Sequence, residues 1–257
     1  MKDKNFDNNL ISVITPVYNA EHFIEQTIDS VLKQNYRNIE MFLVDDCSKD
    51  SSETIIKKYS EKYDNIYYYR QKKNMGAAVA RNTALALSKG RYVAFLDSDD
   101  IWKTDKVKRQ IALMAKMKSP FSYTAIEMID KDNKIVRKKR PVKKYVDYKF
   151  LLKNTMIATS SVIIDRKYFG DFRMPLIRSG QDYATWLLLL RKGAIACGIN
   201  EALVQYRVRS DSLSSNKLKS IKTVWQIQYR QEKITPICAA YNTGWFAWNA
   251  LKKYVIK

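Results

Sequence analysis

Short apolar runs alternate with amphipathic stretches through the first hundred residues, and each run is followed at once by polar or acidic residues. Residues 10–15, 40–44, 66–69 and 92–96 are too short for core helices and carry many β-branched and aromatic side chains. Such runs read as strands buried on both faces. Pro16 is read as the end of the first. Between the strands, Phe23, Ile24, Ile28, Val31 and Leu32 recur at helical spacing within 20–34. Asp50-Ser51-Ser52-Glu53 reads as a capping box opening a helix to Tyr63. Residues 76–88, rich in alanine, read as a closely packed helix stopped by Gly90, and Thr104 as the cap of a helix to Lys118. This rhythm predicts an α/β chain: a Rossmann-like, mostly parallel sheet flanked by helices on both faces.

Ligands of such sheets bind outside the carboxyl ends of the strands, so the residues there carry most weight. They are Thr15-Pro16-Val17-Tyr18-Asn19, then Asp45-Asp46-Cys47-Ser48, then Asn74-Met75-Gly76 with Arg81 and Asn82 in the helix beyond, then Asp97-Ser98-Asp99-Asp100. In an extended segment Asp97 and Asp99 face one side. A close carboxylate pair is costly without a compensating cation or proton. Hard oxygen ligands suit Mg²⁺ or Mn²⁺, whose shell substrate phosphates and water complete. The competing reading is an acidic turn capping the next helix through Asp100 or Thr104; the edge shared with Asp45 and Asp46 favours the metal. Asp46 offers an acceptor for the N3–H of a uracil, Tyr18 a face for that base or its ribose, and Arg81 a partner for a phosphate or for the aspartates. Against these stand turn formation by the two aspartates and an ordinary helix-surface arginine. No G-x-G-x-x-G or GK[ST] loop is present, which argues against dinucleotide cofactors and P-loop hydrolysis.

Beyond residue 120 the pattern is less regular. Strand-like runs at 121–128 and 161–164 flank a basic, hairpin-like segment, and a helix is expected from Asp182 to Lys192. After Asn216 the chain reads as helices carrying Trp225, Tyr229, Tyr241, Trp245, Phe246 and Trp248. A formal charge of +20 implies an anionic partner: nucleic acid, anionic lipid or a phosphorylated substrate. Its densest runs are 137–144 (RKKRPVKK) and the residues after Asn216. Three scattered cysteines give neither a zinc signature nor a disulfide framework, which fits a reducing cytoplasm. Nothing reads as a signal peptide, and no apolar run is long enough to span a bilayer.

The segments VITPVYNAEHFIEQTIDSVLKQNY, VDDCSKDSSE, NMGAAVARN and VAFLDSDD, in this order and spacing, resemble family 2 glycosyltransferases. The likeness runs from residue 11 to residue 102 and resumes near Thr159. It is strongest to bacterial cell-wall and capsule enzymes of the teichuronic-acid type, including the tail pattern SLSSNK. The resemblance implies a glycosyltransferase A-type fold, a nucleotide-diphosphate-sugar donor with uracil as its base, and inversion at the anomeric carbon. Pro16, Tyr18 and Asp46 match the base- and ribose-binding positions; with Asn19, Arg81 and Asp97 they form the expected nucleotide-binding set. Asp97 and Asp99 match the D-x-D pair, with Asp99 the expected metal ligand. Asp182 matches the general base. Inversion needs a carboxylate, separate from the metal ligands, to take the acceptor proton; the residue alone leaves helix capping equally open.

Two positions depart from the family pattern. Gln181 stands where many relatives have Glu, and no histidine follows the Tyr206-Arg207 pair, so the metal would rest on Asp99, phosphates and water. Arg207, Arg209 and Lys217 are expected at the diphosphate. The sole histidine, His22, reads as a surface residue. The expected organisation is a catalytic domain over 1–215, with nucleotide-sugar and acceptor halves at 10–102 and 103–215, and a basic aromatic helical tail over 216–257. The tail is expected either to lie on an anionic membrane at the inner face of the plasma membrane or to pack on the domain. A lipid-linked or glycan acceptor fits that placement. A nucleotidyltransferase is disfavoured by the Thr-Pro-Val-Tyr-Asn turn. A noncatalytic nucleic-acid binder would leave the aspartates repelling phosphates.

Overall fold

The computed structural model describes residues 6–208 and 217–255. The first half runs β1 (Asp7–Val17), α1 (Ile24–Leu32), β2 (Ile39–Asp45), α2 (Ser52–Lys62), β3 (Ile66–Arg70), α3 (Ala77–Leu87) and β4 (Gly90–Phe95). Then follow β5 (Ile101–Trp102), α4 (Lys106–Met117), β6 (Phe121–Ile129), β7 (Ile135–Arg140), β8 (Tyr145–Val146) and α5 (Tyr148–Leu152). After a 3-10 turn at Thr159–Ser161 come β9 (Ile163–Asp165), α6 (Arg166–Phe169), α7 (Gln181–Leu190) and β10 (Ala196–Arg207). The chain ends in α8 (Lys217–Gln226), a π-helical turn (Ile227–Gln231) and α9 (Pro236–Val255).

One sheet joins the strands in the order β3-β2-β1-β4-β9-β6-β10-β5, with β7 on β6 and β8 on β10. The α/β class is as expected. Pairing is parallel across β3-β2-β1-β4, and β9 then enters antiparallel between β4 and β6. Alternate residues serve two cores. Ile14, Phe42, Val44 and Phe95 face α3 and α7, whereas Val13, Met41, Leu43 and Ala94 face α1, α2 and α4. Burial on both faces explains the continuous apolar runs. Trp186 of α7 fills the first core, its ring 5.7 Å from Phe95 and 5.4 Å from Phe121. Val224, Ile227 and Phe246 join the same core, so the segment after Asn216 packs on the sheet domain through one of its faces.

Three local expectations are corrected. β1 runs through Pro16, which lies opposite Val44 of β2. Ile14 accepts from Leu96 on the β4 side, where pairing stops at Phe95. Pro16, two residues on, turns its missing N–H to that same unpaired side, so the ladder loses nothing. The Asp50–Glu53 capping box does not form. α2 starts at Ser52, whose N–H donates to Asp50 Oδ1 at 3.1 Å while Asp50 Oδ2 takes the Glu21 amide at 3.0 Å, and Glu53, rather than reaching back to Asp50, pairs with Arg70 and Lys57. Thr104 does not cap α4: Asp105 precedes that helix without a side-chain cap, and Thr104 O accepts from Asn35 N at 3.0 Å.

Candidate active site

Beyond β4 the chain does not stay extended. Residues 98–99 form a turn closed by Asp100 N on Asp97 O at 3.1 Å, so a turn rather than strand alternation aims the carboxylates. Three distant side chains and one backbone amide hold the turn. The Thr27 hydroxyl on α1 reaches Asp100 O at 2.9 Å and Ser98 O at 3.1 Å. Ser160 Oγ accepts from Asp97 N at 3.0 Å and donates to Asp100 Oδ2 at 2.5 Å. Arg207 N donates to Asp100 Oδ1 at 2.9 Å, and Arg207 Nε to Asp99 O at 2.9 Å. Asp100 is thus a buried brace, not the cap of α4. Burial pushes its carboxyl well above the usual range, and the charges of Asp99 and Asp97 push the same way.

Arg81 of α3 is buried and donates from Nη2 to Asp97 Oδ1 at 2.5 Å, so it is no surface arginine. With its amide turned to suit both neighbours, Gln181 accepts from Arg81 Nη1 at 3.1 Å and donates to Ile177 O at 3.2 Å. Arg81 therefore ties the acidic turn to the first residue of α7. Gly180, in the left-handed region at φ +77°, takes the N-cap position of α7 with no side-chain cap bond. A Cβ there would meet Ile227 Cδ1 at 2.8 Å, so the entry to α7 is pressed against the π-helical turn. Asp182 sits in the first turn of α7, and Thr159 Oγ1 donates to its Oδ2 at 3.0 Å. Thr159 and Ser160 are consecutive, so one 3-10 turn grips both Asp182 and the acidic turn. Tyr206 stands in the field of the whole group. Burial raises its phenol first, and Asp100, Asp97, Asp99 and Asp182 raise it further.

The residues expected to hold the nucleotide gather at the neighbouring strand ends. Tyr18 is half exposed, and Pro16 lies beside it at the end of β1. Asn19, at φ +48°, donates its N–H to Ser48 Oγ at 3.0 Å and accepts from Lys49 N at 2.9 Å, locking the β1 and β2 loops together. Asp46 is buried and takes Met75 N on Oδ1 and Gly76 N on Oδ2, each at 2.7 Å. Each of its oxygens keeps a further lone pair. Asp45 is the turn-former: its Oδ1 accepts from Ser48 N at 2.8 Å and from Ser48 Oγ at 2.6 Å. α3 thus begins on Asp46 and carries Arg81 to Asp97.

Arg207, expected at the diphosphate, is 3% exposed. Besides Asp99 O, its guanidinium donates to Asp130 O at 2.7 Å, Asn133 Oδ1 at 2.8 Å and Gln26 Oε1 at 3.2 Å, and it lies 4.4 Å from the Phe23 ring centre. Held by these acceptors, it braces the acidic turn. Arg209 and most of the SLSSNK stretch lie outside the described residues, and Lys217 opens α8.

No three His, Cys, Asp or Glu side chains form a metal cage among the described residues. Mg²⁺ and Mn²⁺ do not need one, since one or two carboxylates plus substrate phosphates suffice. Asp97 and Asp99 fit that donor set, and the charge they press on Asp100 is what a cation there would relieve. His22 stands apart, beside Glu21 on the surface.

The family profile described as Glycosyl transferase family 2 matches residues 12–172. A protein of Bacillus subtilis (strain 168) named for teichuronic acid biosynthesis, the glycosyltransferase TuaG, is 43% identical over 244 residues, covering 95% of this chain and 97% of its own. WfgD of Escherichia coli, a UDP-Glc:α-D-GlcNAc-diphosphoundecaprenol β-1,3-glucosyltransferase by name, is 39% identical over 224 residues, 86% of each chain. Among solved structures, Staphylococcus aureus TarS 1–349 in complex with UDP-GlcNAc superimposes with a TM-score of 0.71 at 20% identity, covering 92% of this chain and 71% of that one. The mannosyltransferase PcManGT of Pyrobaculum calidifontis, in complex with GDP-Man and Mn²⁺, gives 0.65 at 16% identity, covering 96% and 76%.

Proposed function

Since the chain belongs to glycosyl transferase family 2 and is a glycosyltransferase, we propose that it moves a sugar, with inversion, from a UDP-sugar to a hydroxyl of a lipid-linked or cell-surface glycan. In this reading Tyr18 stacks on the uracil or its ribose beside Pro16 and Asn19. Asp46 accepts from the base through the lone pairs that Met75 and Gly76 leave it. Asp97 and Asp99 would hold Mg²⁺ or Mn²⁺, which neutralises charge on the departing diphosphate. Arg81 fixes Asp97.

The acceptor oxygen attacks the anomeric carbon from the face opposite the diphosphate. The bond from that carbon to the diphosphate oxygen breaks, UDP leaves, and the hydroxyl proton passes to Asp182. With Oδ2 held by Thr159, Oδ1 is assigned to the proton. The observation carrying the reading is the consecutive pair Thr159 and Ser160, which fixes Asp182 relative to the carboxylates of the acidic turn. Base and leaving-group machinery then keep one spacing, as in-line displacement demands.

Relatives named for diphosphoundecaprenol acceptors support a lipid-linked substrate, and with it work at the cytoplasmic face of the plasma membrane. Calorimetric titration of UDP with and without Mn²⁺ tests the donor assignment. Metal-strengthened binding is expected; absence of binding in both conditions removes the uridine assignment.

A further inference from the structure

Helix α9 carries no charged residue from Pro236 to Leu251, in a chain whose net charge is +20. At 3.6 residues per turn its side chains divide into two faces. Ala239, Asn242, Thr243 and Phe246 are buried against the domain. Ile237, Tyr241, Trp245, Trp248 and Leu251 fall within about a third of the circumference on the opposite side. All five are exposed, Ile237 at 83% and Trp248 at 53%. A contiguous stripe of this kind marks an interaction surface.

Its surroundings identify the occupant. α5 lies beside α9: Asn249 Nδ2 donates to Lys153 O at 3.2 Å, and Lys153 Nζ sits 4.8 Å from the Tyr241 ring centre. Three residues back along the same helix, Lys143 Nζ sits 4.4 Å from the Phe150 ring centre. One short helix, α5, therefore touches both the exposed basic segment 137–144 and the aromatic stripe, and itself exposes Lys149. A second copy of the chain is a poor fit, because it would bring two strongly cationic faces together. A bilayer interface takes Trp and Tyr at headgroup depth and lysines on lipid phosphates. Among the described residues no helix is long and apolar enough to cross a membrane.

We infer that the outer face of α9, with α5 and the 137–144 segment, docks this protein on an anionic bilayer, α9 lying in the interface plane. The inference borrows from the transferase reading only the lipid-linked acceptor that gives such docking a purpose.

Co-sedimentation of the full chain with phosphatidylcholine vesicles, with and without phosphatidylglycerol, tests it. The expected result is binding that needs phosphatidylglycerol and weakens with salt. It should fall by about tenfold or more in Ile237→Ser/Trp248→Ser, the size expected for apolar side chains withdrawn from burial. Both positions are exposed, and unchanged UDP titration and circular dichroism verify the fold of the variant. Equal pelleting of variant and native protein, or no binding to either vesicle, overturns the inference. So does a concentration-dependent native dimer in sedimentation velocity that the variant abolishes, with vesicle binding unchanged. The vesicles hold no acceptor, so failure here leaves the transferase reading standing, and failure of donor binding leaves this one standing.

Discussion

Thr159 donates its hydroxyl proton to Asp182 Oδ2 at 3.0 Å, across 23 positions of sequence. The bond sets the direction of the proposed base while the next residue, Ser160, sets the turn opposite it. Thr159→Val keeps the side-chain shape and removes the donor. A hydrogen bond to a charged group contributes about 1.5–3 kcal/mol, so kcat should fall by about tenfold to a hundredfold. The UDP dissociation constant should not move, and Thr159→Ser should restore turnover. Steady-state kinetics beside calorimetry make the check; a variant with unchanged kcat would detach Thr159 from the chemistry.

Arg207 braces three segments at once, the acidic turn through Asp99 O, the β6–β7 turn through Asp130 O and Asn133 Oδ1, and α1 through Gln26 Oε1. A lysine ammonium cannot span that set, because its donors leave a single nitrogen. Arg207→Lys should destabilise the fold by about 2–4 kcal/mol, the scale of a broken buried polar network. Chemical denaturation measures this. Unchanged stability with weakened UDP binding would return Arg207 to the diphosphate.

Lys106 is fully buried, its ammonium 3.9 Å from the Trp102 ring centre and without a hydrogen-bond partner among the described residues. Burial holds its pKa well below the ordinary 10.5. The folded state therefore binds fewer protons than the unfolded one until the pH reaches the unfolded value, and stability rises with pH across that window. Lys106→Met should be more stable at neutral pH by about 1–4 kcal/mol, the range seen when buried charge is replaced by apolar volume. The advantage should shrink as the pH climbs toward 10.5. Thermal melts at several pH values decide, and a constant difference would contradict the burial argument.

The strands of the first half and the acids that follow them were legible because burial on both faces forces an unbroken apolar run, and the first polar residues after it must lie at the sheet edge. The clamps on that edge were not. Ser160 meets Asp100 from 60 positions away, and Arg207 meets Gln26 from 181, separations that leave no local pattern. The same lack of local pattern left an ordinary surface arginine standing as the alternative to Arg81's pairing with the aspartates. Pro16 misled for another reason: whether a proline interrupts a strand depends on the side its missing N–H faces, and β4 had already parted from that side. The acidic turn misled because the chain leaves the strand one residue before Asp97, and alternation no longer applies.

In the proposed mechanism Asp182 takes the acceptor proton without contributing to donor binding. Single-turnover transfer from the UDP-sugar, measured for Asp182→Asn beside a UDP titration of the same variant, tests it most directly. Transfer should be slowed by at least about a hundredfold, the usual contribution of a general base, with UDP bound as tightly as by the native protein. Transfer at near-native rate by Asp182→Asn would contradict it.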